Sequence, residues 1–375
     1  MIAAIEGSSP DVWPVAAPYQ TLSNADHWEE LTGLPVWKYY EWLITRNDGW
    51  HAEINGLINE ALPFDIVQPA FPCLDDYSKN TEIALRDGKA YYRDKRSGDF
   101  SPVPDEIHNA GSGGGENETR YVYTFADARA RIRATKAERL VSNGFNRFLD
   151  ITLGQFGSER FIVSGGVVSP FYSNAYHVGM TNMYAMLHDE PQLIKYISNL
   201  VLEQNIELIR AYAAASGDAI FVDDATATSD MISPAMYEEF ALPYLREQVS
   251  EIKRQGFKAI ALYFGGISDR AELIASSGAD ALMMECSMKS YVNDYADIAS
   301  KLGKNICLAG NLNPYADVEI STSEELREKI TAIVKAGAAH GRYFTSTGSP
   351  LTPNTSVRRM REYIDAAHFL GANRP

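Results

Sequence analysis

Eight short apolar runs, each followed by a segment with helical spacing, constrain the fold of this chain more than any single motif does. The clearest unit is Lys258 to Glu285, reading KAIALYFGGISDRAELIASSGADALMME. An apolar run ends on aromatic and glycine residues, a short helix follows, and a second apolar run ends on Glu285. Parallel strands buried on both faces read as such near-continuous runs, and ligands gather at their carboxyl ends. Comparable runs lie at 12–17, 64–70, 161–168, 219–224, 258–264, 280–285, 305–310 and 342–347. Eight β/α units with short returns predict an α/β fold of the closed (β/α)8 TIM barrel type. A doubly wound open sheet is the alternative, but it usually carries fewer units and a visible nucleotide fingerprint, which is not found here.

Local signals place the helices. Trp37, Tyr40, Leu43 and Ile44, then Ile54, Leu57 and Ile58, recur at helical intervals, and Asn47-Asp48-Gly49 divides them into two helices. A helix is expected over about 125–153 and another after Glu190-Pro191, while Ser233-Pro234 opens a further one with a capping serine and a first-turn proline. Ser321 and Glu324 read as a capping box. Residues 74–125 behave differently: Asp87-Gly88 between alternating runs signals a tight β-hairpin, and a Pro-, Ser- and Gly-rich stretch follows. The expected organisation is a single barrel domain over 1–375, with an N-terminal helical segment and 74–125 inserted over one end. Gly111 to Gly115 lacks the Gly-Lys-Ser/Thr of a phosphate-binding loop and reads as a flexible loop.

Composition limits the partners. The formal charge is −15, from 49 acidic against 34 basic residues, and no run of Lys and Arg interleaves with aromatics, so nucleic acid and anionic membrane are poor partners. The N-terminus lacks a basic segment followed by a long apolar one, and no apolar window long enough to cross a bilayer follows, so a soluble cytoplasmic protein is expected. Cys73, Cys286 and Cys307 fit neither a disulfide framework nor a metal pattern and read as reduced, mostly buried thiols. Asn117-Glu118-Thr119 matches a glycosylation sequon by chance.

In a barrel, site residues stand just past each strand. Those positions hold Tyr19, Phe71, Ser169 with Phe171, Asp223 with Asp224, Tyr263 with Phe264, Glu285 with Cys286, Asn311 with Asn313, and Ser346, Thr347 and Ser349. The mouth is acidic and aromatic. Neighbouring strand residues point opposite ways, so only one of Asp223 and Asp224 faces the axis, and both also fit the role of capping the next turn. With Glu285 they are suited to accept from a cationic or hydroxyl-bearing substrate, bind a hard metal ion, or act as acid or base. Tyr263 suits stacking on a planar ligand, protonation of a leaving oxygen, or a satisfied place in the core. His177 reads as a packed or surface histidine, and His340, before Gly341, as a partner of a helix C-terminus.

The segments FVDDATATSDMISPAMYEEFALPYLREQVSEIKRQGFKAIALYFGG, SGADALMME, ICLAGNLNP, STSEELREKI and STGSPLTPNTS together resemble the uroporphyrinogen decarboxylase superfamily. GVVSPFYSNAYHVGM is similar to its Gly-Pro-Phe stretch, and the likeness spans about 160–370 in order. The resemblance implies a TIM-barrel enzyme, either the haem-pathway decarboxylase or a corrinoid-linked methyltransferase. Two departures separate the branches. The decarboxylase holds a polycarboxylated tetrapyrrole with an arginine-rich N-terminal segment, yet residues 1–45 contain no arginine and only Lys38, and no aspartate follows the second strand near Phe71 and Pro72. The thiol-methylating branch holds zinc through His-x-Cys after the fifth strand and a Cys near the last, where this chain has Tyr263-Phe264-Gly265 and Ser346 to Ser349. Zinc of that type is therefore not expected.

The resulting expectation is a methyltransferase of one-carbon metabolism that works on a small methylated substrate. It takes a methyl group, by O-demethylation of a methoxylated aromatic for example, to the cobalt of a corrinoid (cobalamin) carried by a partner protein. Tyr263, Glu285 and Asp223 are the expected catalytic groups, and Asp224, Tyr19, Phe71, Phe171, Phe264, Asn311, Ser346 and Ser349 the substrate-binding ones, with Trp13 a further wall. Transfer from methyl-corrinoid to a tetrahydrofolate-type acceptor, a uroporphyrinogen decarboxylase-like reaction, and a non-catalytic binding barrel are the alternatives.

Overall fold

A computed structural model describes residues 1–71, 74–107 and 121–373. Its strands are β1 (Val15–Ala16), β2 (Ile66–Val67), β3 (Thr81–Arg86), β4 (Lys89–Asp94), β5 (Phe100–Pro102), β6 (Phe161–Val168), β7 (Ala219–Asp223), β8 (Lys258–Tyr263), β9 (Ala281–Met284), β10 (Cys307–Ala309) and β11 (Tyr343–Ser346). Eight of them form one parallel sheet in the order β1-β11-β10-β9-β8-β7-β6-β2. With helices outside, this is the (β/α)8 barrel. The strands fall where the apolar runs predict them, although β1 and β2 shrink to two residues each.

Alternation along the strands sorts side chains into two cores. Ala16, Ile66, Val163, Phe221, Leu262 and Met283 fill the barrel interior, while Val15, Val67, Ile220, Ala261, Leu282 and Leu308 pack outward on the helices. Ile5, from the helix Ile2–Glu6, belongs to the interior cluster and plugs the amino end. An ion pair from Glu6 to Lys258 (2.7 Å) and a hydrogen bond from Arg342 Nη1 to Ile5 O (3.2 Å) hold it there. Along β6 the pairing slips between Val163 and Gly165, and the bulge sets Gly166 opposite Phe221 on the interior side. With no side chain at Gly166, space remains beneath the mouth.

The seam between β1 and β2 is made differently from the other joints. The Asp65 N–H donates to Val15 O (3.0 Å), and the Val15 N–H donates to the Asp65 carboxylate (2.8 Å). His368, on the helix Val357–Ala372, lies 2.8 Å from the same carboxylate oxygen, and the Tyr363 hydroxyl of that helix donates to Ala16 O (2.9 Å). A side chain and the last helix thus complete the closure.

Asp87 (φ 48°) and Gly88 (φ 77°) turn the expected hairpin between β3 and β4, both in the left-handed region that such two-residue loops need. A third strand, β5, joins it, which sequence pattern did not indicate. The Tyr40 hydroxyl donates to Glu106 O (2.7 Å) and its ring meets Tyr92 at 6.3 Å, so the small sheet packs on the helix Val36–Ile44. Asn47 caps the next helix, Asp48–Ala61, through the Trp50 N–H, so the expected break is present.

Other expectations change. The single helix over 125–153 is three, Phe125–Arg131, Ala137–Ser142 and Arg147–Phe156, because Ile132 turns extended and Gly144 takes φ 78°. The capping box is Thr322 with Glu325, one residue later, since the Ser321 hydroxyl is spent on Asp317 O and Arg359. His340 is buried with Nε2 3.0 Å from Ile306 O, and burial lowers its pKa, so it stays neutral; Lys304 supplies the cation at that helix end. Burial likewise lowers the pKa of His177. Cys286 and Cys307 are buried and unbridged, whereas Cys73, the Gly111 to Gly115 loop and the Asn117 sequon lie outside the described residues. Among the described residues no helix is long and apolar enough to cross a membrane.

Replacing Asp65 by Ala removes the acceptor of a Val15 N–H that solvent cannot reach. A loss of about 1–3 kcal/mol in unfolding free energy is expected, read as a lower urea midpoint. An unchanged midpoint means that the carboxylate does not close the seam.

Candidate active site

Strand parity decides which polar residues meet at the mouth. Asp223 continues the interior face of β7 after Phe221, and Phe264 continues that of β8 after Leu262. Glu285 follows Met283 on β9, and Ser346 follows Phe344 on β11. Phe264 thus projects between the two carboxylates from the intervening strand.

Tyr19, just past β1, reaches across the opening to donate its hydroxyl hydrogen bond to Asp223. Its backbone sits at φ 49°, one of two non-glycine residues in the left-handed region among those described, and such strain gathers where geometry is imposed by function. Its ring packs on Phe264 at 5.8 Å. Burial pushes the Asp223 pKa up to about 6, although the Tyr19 hydroxyl and the Ala225 N–H pull the other way. Burial also pushes the Tyr19 hydroxyl far above its ordinary range, so it remains a donor. A cavity of about 140 Å³ opens beside the pair, bounded by Gln68, Phe71, Gly166 and Phe221; among its described lining residues Asp223 alone can carry charge near neutral pH.

Glu285 is held by two donors, the Tyr291 hydroxyl and Ser349 Oγ (2.6 Å). The loop carrying Ser349 comes close because Gly348 has no side chain: a Cβ there would stand 2.4 Å from the Cys286 nitrogen. Asn311 acts behind this arrangement, donating to Glu285 O (3.3 Å) and Asn293 O (3.0 Å). Ser346 is buried and donates to Thr347 O (2.9 Å).

Asp224 and Tyr263 face the other way. Both are fully buried in the layer between barrel and helices, where the Asp224 carboxylate accepts from Ser169 and from the Tyr263 hydroxyl (3.2 Å). The Tyr263 hydroxyl also lies 2.7 Å from that of Tyr237, beside the buried Arg270. Burial raises both the Asp224 pKa, to about 6, and that of Tyr263. This network braces the loop after β7, since Arg270 donates to Ala227 O (3.1 Å) and Ile232 O (2.6 Å). Phe171 and Trp13, expected as substrate walls, are buried among the helices, Trp13 against Tyr343. Phe71 does line the cavity and is 66% exposed. Tyr291, Asn293 and the glycine bulge escaped the sequence reading: the first two sit in an irregular loop without periodicity.

Among the described residues no three of His, Cys, Asp and Glu come together as a metal-binding group. Of the positions weighed above for zinc ligands, Tyr263 points away from the mouth and Ser349 binds Glu285.

Residues 148–370 match the uroporphyrinogen decarboxylase (URO-D) family. The uroporphyrinogen decarboxylase of Tolumonas auensis is 25% identical over 285 residues, covering 74% of this chain and 69% of that protein. That of Xanthomonas campestris is 27% identical over 71% of this chain and 70% of its own. Among solved structures, a methyltransferase from Methanosarcina mazei superposes with a TM-score of 0.67 over 97% of this chain and 96% of that one, at 17% identity, a likeness of fold.

The burial of Asp223 has a pH signature. Its folded pKa of about 6 exceeds the usual unfolded value near 3.8, so ionisation costs the folded state as pH rises from about 4 to 6 and remains a penalty above. Asp223→Asn is expected to gain about 2–3 kcal/mol relative to the parent between pH 4 and pH 8, measured by urea unfolding at both. A difference between the two proteins that does not vary with pH contradicts the assignment.

Proposed function

The chain belongs to the uroporphyrinogen decarboxylase family, and from that premise we propose that it is a methyltransferase acting between a small methylated compound and a corrinoid held by a separate protein. A methoxylated aromatic is the favoured substrate. The observation that carries this reading is the Tyr19–Asp223 pair beside a ring-walled cavity without a cation among its described lining residues. A polycarboxylate meets no counter-charge in such a place, which disfavours the decarboxylase reaction.

Demethylating an aryl ether breaks a carbon–oxygen bond. The methyl carbon goes to the acceptor's electron pair, the bonding electrons stay on the aryl oxygen, and a proton there makes that oxygen a far better leaving group. Asp223, titrating near 6, carries such a proton in part of the population at neutral pH, and Tyr19 fixes its carboxyl group. Once the proton has passed to the leaving oxygen, the Tyr19 hydroxyl steadies the carboxylate left behind. Glu285, fixed by Tyr291 and Ser349, accepts from a hydroxyl on the substrate ring. Of the three expected catalytic groups, Tyr263, Glu285 and Asp223, the proton donor in this reading is Asp223.

The corrinoid is a co-substrate, and when present it supplies the electron pair that takes the methyl carbon. The mouth suits a protein that brings it: Phe71, Met231, Met288, Val292 and Tyr315, all exposed, stand on the segments that follow β2, β7, β9 and β10. Apolar side chains clustered around an opening are a signature of an interaction surface.

The test is methyl transfer from 1,2-dimethoxybenzene to reduced cobalamin, free and on a corrinoid protein. Turnover is expected to fall as pH rises through about 6, as the Asp223 proton is lost, and Asp223→Asn to lower it about 10²–10⁴-fold with the fold intact. Glu285→Gln is expected to raise KM for a hydroxylated ring more than it changes kcat. Absence of turnover with every methoxylated ring and both acceptors would sink the proposal and leave a binding barrel.

A further inference from the structure

Beyond the cavity at Asp223, a second chamber of about 290 Å³ lies between the helices Val36–Ile44 and Asp48–Ala61, the end of β2 and the small sheet. The two share Thr21, Gln68, Ala70 and Phe71 and so adjoin. None of the described residues around this chamber is Asp, Glu, Lys or Arg, which makes it a poor place for an ion.

Its wall offers two kinds of surface. Phe71 is 66% exposed, and Tyr39, Tyr40 and Tyr92 are half-buried, so ring surface is open to a ligand. Packing holds these tyrosines in place: Tyr40 meets Tyr39 at 5.4 Å and Tyr92 at 6.3 Å, and Tyr39 rests on the buried Trp28 at 5.4 Å.

Among the rings stand polar groups that the fold leaves uncommitted. Asn55 and Asn59 lie four residues apart, on one face of their helix. Asn55 Nδ2 donates to Thr152 Oγ1 (3.2 Å) and Asn59 Nδ2 to Asn55 O (2.9 Å), so each carboxamide spends its donor within the protein and keeps Oδ1 as an unused acceptor. The Asn24 carboxamide and the Thr21 hydroxyl, both half-buried, have no hydrogen-bond partner among the described residues. Unlike the indole nitrogens of Trp28 and Trp42, which are sealed as well as unpartnered, these atoms keep accessible surface.

These groups define what can fill the chamber. An apolar ring would bury the carboxamide oxygens unpaired, a cost that a donor on the ligand removes. A methyl ether accepts and cannot donate, so it leaves them unmet. An uncharged ring with hydroxyls around its rim and C–H groups on its faces meets both surfaces: the hydroxyls donate to the asparagine oxygens, and the faces lie on the tyrosine rings. The volume stands at the small end for pockets that take organic ligands, about 300 Å³, and suits one such ring.

We propose that this chamber binds a neutral sugar ring, so that the substrate is a glycoside of a methoxylated aromatic. The sugar occupies the chamber, the aryl ring passes Phe71, and the methyl ether reaches Asp223. The catalytic meaning of this site rests on the methyl-transfer reading, to which it adds the part of the substrate that carries no methyl group.

Binding is read by calorimetry on the full chain, without corrinoid or turnover. The probes are 4-methoxyphenyl β-D-glucopyranoside, the same glucoside with its sugar hydroxyls methylated, and 1,4-dimethoxybenzene. The free glucoside is expected to bind about tenfold or more tighter than either of the others. Asn24→Ala and Asn59→Ala, with urea midpoints confirming that both fold, are expected to weaken the glucoside about threefold to tenfold more than they weaken 1,4-dimethoxybenzene. Equal affinity for the glucoside and its methylated form, or a preference that both variants leave intact, overturns the proposal; the first comparison needs no variant. Tight glucoside binding without demethylation rejects the transfer reading alone. Turnover of 1,2-dimethoxybenzene with no preference for the free glucoside rejects the sugar site alone.

Discussion

The closure of the barrel rests on one carboxylate. Seven of the eight joints between strands are backbone ladders, but β1 and β2 contribute two residues each, and Asp65 supplies from its side chain what a longer ladder would supply from the main chain. Everything at the mouth depends on this seam. Tyr19 leaves β1 and Gln68 and Phe71 leave β2 on its two sides, so the position of the first fixes how Tyr19 meets Asp223 across the opening. The left-handed backbone at Tyr19 is tolerable because strand, seam and carboxylate over-determine it.

Two aspartates one residue apart show how strongly a pleated strand separates environments. Asp223 looks into a cavity with a phenol as its companion, and Asp224 looks into a dry layer where Ser169 and Tyr263 satisfy it. Burial raises the pKa of both to about 6, yet only one is open to a ligand. The same carboxylate chemistry serves proton handling on one side and the bracing of a loop on the other.

The periodicity of apolar residues revealed the barrel because each strand is buried on both faces, and that signal is local. The Asp87-Gly88 hairpin and the Ser233-Pro234 cap were legible for the same reason: their geometry is written in two adjacent residues. Which of Asp223 and Asp224 faces the axis was not legible, because parity depends on where a strand begins within the sheet. Tyr263, at the end of its strand, and Phe171, in the first turn of the helix Pro170–Val178, have the composition of a site and the orientation of a core. The bulge at Gly165 and Gly166 is invisible without the partner strand. The cavity beside Asp223 is assembled from segments spread between Tyr19 and Asp223, and no window of sequence contains it.

The hold of the last helix on the first strand gives the chain a direction in time. Ala16 O waits for the hydroxyl of a tyrosine 347 residues later, and the Val15–Ala16 strand pairs with Thr345 and Ser346. A ribosome delivers Trp13, Val15 and the helices behind them long before it delivers any of these partners. Half-barrels therefore emerge with apolar edges uncovered, and the helix Val357–Ala372 acts as the latch that ends this exposure. Removing that helix strikes the start of the barrel first.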